Sequence, residues 1–178
     1  IMLWGASNPV LLAKPGDDSK DVGRRLVAIK DGLHSGTELA PAFKDITEVL
    51  ADRKSTGSGF AGMTHMMVFS DGDIFDEEKS SNAVKALMKL TNYTTLDFVV
   101  MKSSQNSKTK IERVAERMQT QNPLKKIGVF ADTDPEQIPL GAIGLILDKL
   151  RTMKSFQAVR QRKKIKEFKR ADRRMGPS

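Results

Sequence analysis

Residues 66–73 read Met-Met-Val-Phe-Ser-Asp-Gly-Asp, a compact apolar run that gives way abruptly to small and acidic residues. A short apolar run that is closed by turn residues is typical of a strand buried on both faces of a parallel sheet. The polar residues behind it would then lie at the carboxyl end of the strand, where open α/β sheets bind their ligands. The stretch therefore predicts a parallel sheet with a first candidate site at its edge.

Working outward from this stretch, short apolar runs alternate with amphipathic segments along the chain. The predicted strands cover residues 1–4, 10–13, 66–69, 96–101 and 126–131, of which the first two form a pair. The predicted helices cover residues 21–30, 39–50, 77–90, 108–118 and 140–150. Because strands that alternate with helices build parallel sheets with helical layers, we expect a doubly wound, mostly parallel, Rossmann-like α/β fold with helices on both faces.

The charge of the chain is distributed unevenly. The 178 residues include 30 Lys and Arg against 22 Asp and Glu, a net charge of +8. Residues 151–178 hold eleven basic and two acidic residues, or +9, which leaves −1 for residues 1–150. This shift predicts an α/β domain over residues 1–150 and a basic helical tail over residues 151–178.

Composition also excludes several classes of protein. The chain has no Cys, which excludes a disulfide framework, a thiolate zinc site and a Cys nucleophile. No apolar run approaches the roughly 20 residues of a transmembrane helix. The two histidines, His34 and His65, have no Cys partner and no second His one turn away, so we expect each to be structural or solvated rather than catalytic.

The basic tail has three interpretations. Apolar residues at helical spacing, including Met153, Phe156 and Val159, predict that the last helix of the domain continues into it. The tail is then a solvated cationic helix, a helix that contacts nucleic acid or an acidic protein, or a helix on a membrane surface. For contact with nucleic acid or an acidic partner the candidates are Arg160, Arg162, Lys163, Lys164, Lys166, Lys169, Arg170, Arg173 and Arg174.

Three polar loops are candidates for chemistry, and each has a structural interpretation beside it. Residues 70–73 offer hydroxyl and carboxylate oxygens, the hard ligands that Mg²⁺ prefers, although Asp71 or Asp73 could instead cap the next helix. Thr37 precedes the helix over residues 39–50 and could be its N-cap. Residues 132–136, Asp-Thr-Asp-Pro-Glu, could be the acidic first turn of another helix.

The order of these features resembles a von Willebrand factor A domain over about residues 1–150. The resemblance rests on Ser-Gly-Thr-Glu-Leu-Ala-Pro-Ala at residues 35–42 and on the Ser-Asp-Gly that ends the strand at residues 66–69. In that family two such loops supply a Thr and an Asp to a metal-ion-dependent adhesion site. The resemblance implies that Thr37 and Asp71 are metal-site residues for Mg²⁺, and that the loops around them are shaped by Ser35, Gly36, Ser70, Gly72 and Asp73.

One element of the family pattern is absent. The Asp-x-Ser-x-Ser sequence that follows the central strand of such domains does not occur in residues 1–178. In the family it precedes the segment that Ile1–Trp4 resembles. We therefore expect that the chain begins downstream of the true N-terminus and that an upstream segment or another chain supplies the central strand, unless the site is degenerate and binds no metal.

The sequence favours a non-enzymatic interaction module, viral or bacterial, within a larger assembly. It would bind a protein partner at the carboxyl edge of its sheet, with its tail on nucleic acid or an acidic partner. No secretory signal is visible, so we expect an intracellular or virion-associated protein. One alternative is a nucleic-acid-binding structural subunit. The other is a metal-dependent phosphoester hydrolase that would use Asp71, Asp73, Asp132 and Asp134. Against this alternative, the sequence shows no positioned general base.

Overall fold

The computed structural model describes residues 2–3, 10–11, 17–29, 37–55, 64–90, 94–119 and 125–174. Along these ranges the elements are β1 (Met2–Leu3), β2 (Val10–Leu11), α1 (Ser19–Ile29), α2 (Ala40–Ser55), β3 (Thr64–Ser70), α3 (Glu77–Leu90), β4 (Thr94–Met101), α4 (Lys110–Arg117), β5 (Gly128–Asp132) and α5 (Gln137–Arg174). Each predicted strand and helix corresponds to one of them, and α3 has the predicted bounds. Ser35 and Gly36 lie outside the described residues.

The larger sheet is parallel, in the order β3-β4-β5. Its register sets Thr64 beside Thr94 and Asp97 beside Gly128. β1 and β2 form a separate antiparallel pair in which Met2 lies opposite Leu11. The mixed α/β class, the parallel sheet and the N-terminal strand pair are therefore confirmed.

One face of the sheet carries the hydrophobic core. Alternate residues of β4 (Leu96, Phe98 and Val100) pack there against α3 and α4. The ring of Phe98 meets the ring of Phe43 from α2 edge to face, with centroids 6.4 Å apart. The other buried members of the core are Leu39, Ile74, Val84, Leu87, Met88, Ile111, Val114, Ala115 and Ile127.

Helix α5 covers the opposite face. Asp97, which lies between Leu96 and Phe98 on β4, contacts Lys149 of α5. A Cβ atom added to Gly128 would meet the side chain of Leu145, also on α5. Helices therefore cover both faces of the sheet, as the alternation of strands and helices predicts. α5 runs across residue 150 without a break. In the described part of the chain, no helix has the length and apolarity needed to cross a membrane.

The prediction that β3 is buried on both faces is wrong. Phe69 is 54 % exposed and residues 65–68 and 70 are only partly buried. The reason is that β3 pairs with β4 alone among the described strands. β4 has a strand on each side and is buried throughout residues 95–100. An apolar sequence that would suit a central strand thus lies at the edge of the described sheet.

Candidate functional site

Two segments that are far apart in the sequence meet beyond the carboxyl end of β3. The N–H of Phe75 donates to the carbonyl oxygen of Thr37 over 3.0 Å. The carboxylate of Asp76 accepts hydrogen bonds from the N–H groups of Leu39 (3.0 Å) and Ala40 (2.8 Å). The segment that carries Thr37 is therefore fixed beside the loop that follows Ser70 and Asp71.

Asp76 is a residue of this edge that the sequence analysis missed. Its buried carboxylate binds the first free N–H groups of α2 and also accepts from the Ser80 hydroxyl over 2.8 Å. A carboxylate at a helix N-terminus accepts hydrogen bonds from these N–H groups and interacts favourably with the positive end of the helix dipole. The expected N-cap, Thr37, lies three residues before the first residue of α2, and Asp76 caps the helix instead. The only sequence signal is the acidic run at residues 76–78 close behind the Ser-Asp-Gly turn, and this run does not indicate a contact with α2.

The Ser-Asp-Gly turn is held by its own side chains. The N–H of Gly72 donates to the Ser70 hydroxyl (3.0 Å) and the N–H of Asp73 to Asp71 Oδ1 (3.1 Å). Gly72 has φ +89°, and a Cβ atom there would lie 2.7 Å from Val100 Cγ1, so the turn requires glycine. Neither Asp71 nor Asp73 caps α3. The turn presents the carboxylate of Asp71 at the surface of the edge.

Asp73 differs from Asp71 in its surroundings. Its carboxylate lies 2.8 Å from the ammonium group of Lys110, which also stands 5.4 Å from the centre of the Phe75 ring. A cation at this distance competes with a metal ion for the carboxylate. Asp71, Thr37 and Ser70 therefore fit a hard metal ion better than Asp73 does. The described residues contain no group of three or more His, Asp or Glu side chains placed to hold a metal ion.

The loops after β4 and β5 continue the same edge. The N–H of Ile111 donates to the carbonyl oxygen of Gly72 (3.4 Å), and the N–H of Lys102 donates to that of Asp132 (2.6 Å). The Gln105 side-chain amide reaches the Thr133 hydroxyl over 2.9 Å. The three loops that follow β3, β4 and β5 thus form one continuous surface.

Within this surface, the acidic loop at residues 132–136 has a structural role. Asp132 Oδ1 accepts from the N–H groups of Thr133 (2.7 Å) and Asp134 (3.0 Å), and Asp134 Oδ1 accepts from that of Glu136 (2.9 Å). These bonds build the turn that leads into α5, which begins at Gln137. The arrangement matches the helix-start interpretation of this loop.

The basic side chains of the edge are held in ion pairs. A cavity of about 560 Å³ beside Asp71 is lined by Lys102, Lys108, Lys110 and Arg113 among others. The ammonium group of Lys102 lies 3.3 Å from the carboxylate of Glu112, and Glu112 forms a capping box with Thr109 at the start of α4. Burial raises the pKa of Glu112, but the hydrogen bonds from Thr109 and Lys102 outweigh it, so the pKa lies below its ordinary value.

A second polar cluster is buried under α5, away from the edge. Asp97 Oδ1 accepts from the N–H of Gly128 (2.6 Å) and from Lys149 Nζ (3.0 Å), which also donates to the carbonyl oxygen of Lys126 (2.6 Å). His65 Nε2 lies 3.5 Å from Asp97 Oδ2. The cluster joins α5 to the sheet, and His65 lies partly buried beside it, whereas His34 lies outside the described residues. The sequence signal that could have found the cluster is the single Asp in the apolar strand Leu-Asp-Phe-Val-Val-Met.

Burial governs the protonation of this cluster. It raises the pKa of Asp97, against the opposing hydrogen bond and charge of Lys149. It lowers the pKa of His65, although the charge of Asp97 opposes that change. Burial thus favours a neutral imidazole beside the ion pair formed by Asp97 and Lys149.

The nine basic residues predicted for the tail all lie within α5. Arg162, the one among them whose side-chain exposure the structure describes, is exposed. The basic segment of α5 is therefore separate in chain position from the edge that carries Thr37 and Asp71.

No family model, no curated protein and no solved structure matches this chain. The likeness to von Willebrand factor A domains accordingly rests on the residues quoted above.

Proposed function

We propose that the chain is a non-enzymatic interaction module, similar to a von Willebrand factor A domain, that binds a protein partner at the edge where β3, β4 and β5 end. The observation that carries the proposal is the junction between the Thr37 segment and the loop that carries Asp71. That junction consists of the hydrogen bond from Phe75 to Thr37 and the two bonds that Asp76 accepts from Leu39 and Ala40.

The chemistry of this surface supports a protein partner. Phe75 is 71 % exposed at the junction, and its ring centre lies 5.4 Å from the ammonium group of Lys110, which pairs with the carboxylate of Asp73. An exposed aromatic ring surrounded by charged groups is typical of the central contact of a protein interface.

Mg²⁺ is the ion that this edge would hold. Thr37, Ser70 and Asp71 would contribute two hydroxyl oxygens and one carboxylate, and water would fill other positions. When bound, the ion supplies a coordination position for an acidic side chain of the partner. Asp73 would shape the loop and remain paired with Lys110.

Two further contacts belong to the proposal. The edge of β3 that is unpaired among the described strands would receive a strand from an upstream segment or from another chain. The basic half of α5 would contact an anionic partner, either nucleic acid or an acidic protein. Both contacts suit a subunit of a larger assembly.

Binding of Mn²⁺, measured by electron paramagnetic resonance, tests the metal part. We expect Asp71→Asn and Thr37→Val to weaken binding by at least about tenfold, because each removes a ligand. Asp134→Asn, at the same edge but within the turn before α5, is the matched control and should bind as the wild type does. Equal binding by all four proteins would contradict the assignment.

The interaction part is tested by a photoreactive amino acid in place of Phe75, with the same replacement at exposed Glu48 on α2 as the control. We expect an adduct in cells from position 75 alone, and its loss in the Asp71→Asn background. Hydrolysis of p-nitrophenyl phosphate that disappears in Asp71→Asn would overturn the proposal in favour of the hydrolase.

A further inference from the structure

The first half of α5 exposes a regular apolar stripe. Leu140, Ile143, Leu147 and Leu150 recur at spacings of three, four and three residues, and their exposed fractions lie between 46 % and 61 %. This spacing places all four on one side of the helix, over about 15 Å. Soluble proteins seldom leave a contiguous stripe of large aliphatic side chains in water without a partner.

The stripe is distinct from the side of α5 that packs on the sheet. The sheet side consists of Gly141, which lies against the ring of Phe130, together with the buried residues Ala142 and Lys149. These positions alternate with the exposed ones at helical spacing, so they point roughly opposite to the stripe. One side of α5 packs on the sheet, and the exposed stripe is a second, apolar surface on another side of the same helix.

Positive charge adjoins this surface. Arg151 and Lys154 are exposed directly beyond Leu150. From Arg151 to Arg174 the helix has eleven basic and two acidic residues. The sequence of α5 therefore changes along its length from aliphatic to strongly basic, and Arg151, Lys154 and Arg162 are the basic residues after Leu150 that the structure describes as exposed.

We infer that α5 is a docking site for an amphipathic helix of a protein partner, with an apolar face that covers the stripe and acidic residues that meet the basic half. The inference rests on the proposed function, which gives this half of α5 an anionic partner, and narrows that partner to an acidic helix. Phosphate groups neutralise basic side chains but do not bury aliphatic ones, so nucleic acid leaves the stripe unexplained. A second copy brings another strongly basic helix, and its charge does not complement this one.

The test uses the full chain and two labelled synthetic peptides whose binding is followed by fluorescence anisotropy at physiological salt. The first is a helix with Leu at the stripe spacing and Glu at the remaining positions, and the second has the same composition in scrambled order. We expect the first to bind at least about tenfold more tightly, because only it can bury an apolar face.

Variants of the chain locate the contact. Leu147→Ser and Ile143→Ser should each weaken binding of the first peptide by about tenfold. The matched control is Val49→Ser on α2, since Val49 is as exposed as Leu147, at 47 %, and should leave binding unchanged. Replacing Arg151 and Lys154 by Glu should weaken binding and reduce its dependence on salt. Circular dichroism verifies that each variant keeps its helices.

Four outcomes would overturn the inference. Equal binding of both peptides would show that the basic half attracts any polyanion. The same conclusion would follow if a DNA duplex displaced the first peptide equally well from the wild type and from Leu147→Ser. A dimer in sedimentation that Ile143→Ser dissociates would assign the stripe to a second copy. Failure of both peptides and of the duplex to bind would remove the anionic partner itself, and with it that part of the proposed function.

Discussion

At the scale of single residues, the carboxylate of Asp76 joins three parts of the chain. It closes the N-terminus of α2, it accepts the Ser80 hydroxyl in the first turn of α3, and it follows the turn that displays Asp71. Because the Asp76 carboxylate is buried, removing it would leave these N–H and O–H donors without a hydrogen-bond acceptor. The position of Thr37 relative to Asp71 therefore depends on the buried side chain of Asp76.

We predict that Asp76→Ala lowers the free energy of unfolding by about 1–3 kcal/mol, because it leaves buried donors at the start of α2 unpaired. The measurement is urea denaturation followed by circular dichroism. Asp73→Ala is the control, since the ion pair between Asp73 and Lys110 is largely solvated and should change stability by less than about 1 kcal/mol. Similar losses in both variants would show that Asp76 does not cap the helix.

Gly72 supplies a second test at this scale. Gly72→Ala should cost about 1–3 kcal/mol of stability, because φ is +89° and the new Cβ atom would crowd Val100 and Thr109. Gly144→Ala, in α5 with open space around the site, should be neutral or stabilising by up to about 1 kcal/mol. Thermal unfolding of the two variants measures the contrast, and a stable Gly72→Ala would refute the constrained turn.

At the scale of elements, α5 is attached to the sheet by a buried charge pair as well as by apolar packing. Lys149 reaches Asp97 on β4 and the carbonyl oxygen of Lys126 just before β5. Burying two charges is costly, and removing one partner leaves the other uncompensated. We therefore expect the pair to specify where α5 lies on the sheet more than it adds to stability.

We predict that Lys149→Met alone costs about 3–5 kcal/mol, because it strands the carboxylate of Asp97, whereas the double variant Asp97→Asn with Lys149→Met recovers most of that loss. Chemical denaturation measures the stability, and hydrogen exchange of residues 137–153 reports whether α5 stays docked. If the double variant were as unstable as the single one, the pair would be contributing net stability instead.

What the sequence could predict at this scale follows from periodicity. The helical stripes and apolar runs that place α3 and β4 are local, so their existence and type were predicted from the sequence. The link from Asp76 to α2, and that from Asp97 to Lys149, join residues that only the tertiary fold brings together. The burial of β3 was mispredicted for the same reason: its apolar sequence does not say which strands lie beside it. Of the candidate site, the turn around Asp71 was predicted from the sequence, but the hydrogen bonds between Asp76 and the start of α2 were not.

At the scale of the whole molecule, the net charge of +8 describes neither of its parts. A nearly neutral α/β body presents an edge with exposed carboxylates, and a helix that begins in this body extends into a strongly basic segment. The two surfaces differ in chemistry and lie on different elements. Under the proposed function, the edge would contact one partner and the basic segment of α5 another.

The pH dependence of stability is the last prediction. Since the folded-state pKa of His65 lies below its ordinary 6.5, the unfolded chain binds more protons than the native state in the window just below pH 6.5. Stability is therefore fully present above pH 6.5 and is lost as the pH falls through that window toward the folded pKa, by at most about 1.4 kcal/mol per pH unit. His65→Gln should flatten the curve there, as measured by urea midpoints at closely spaced pH values. Glu112→Gln is the matched control: the lowered pKa of Glu112 stabilises the fold above its ordinary 4.5, so its removal should lower stability by a constant amount above that pH and change the slope of the curve only below it. A slope just below pH 6.5 that survives His65→Gln would place the titrating group elsewhere.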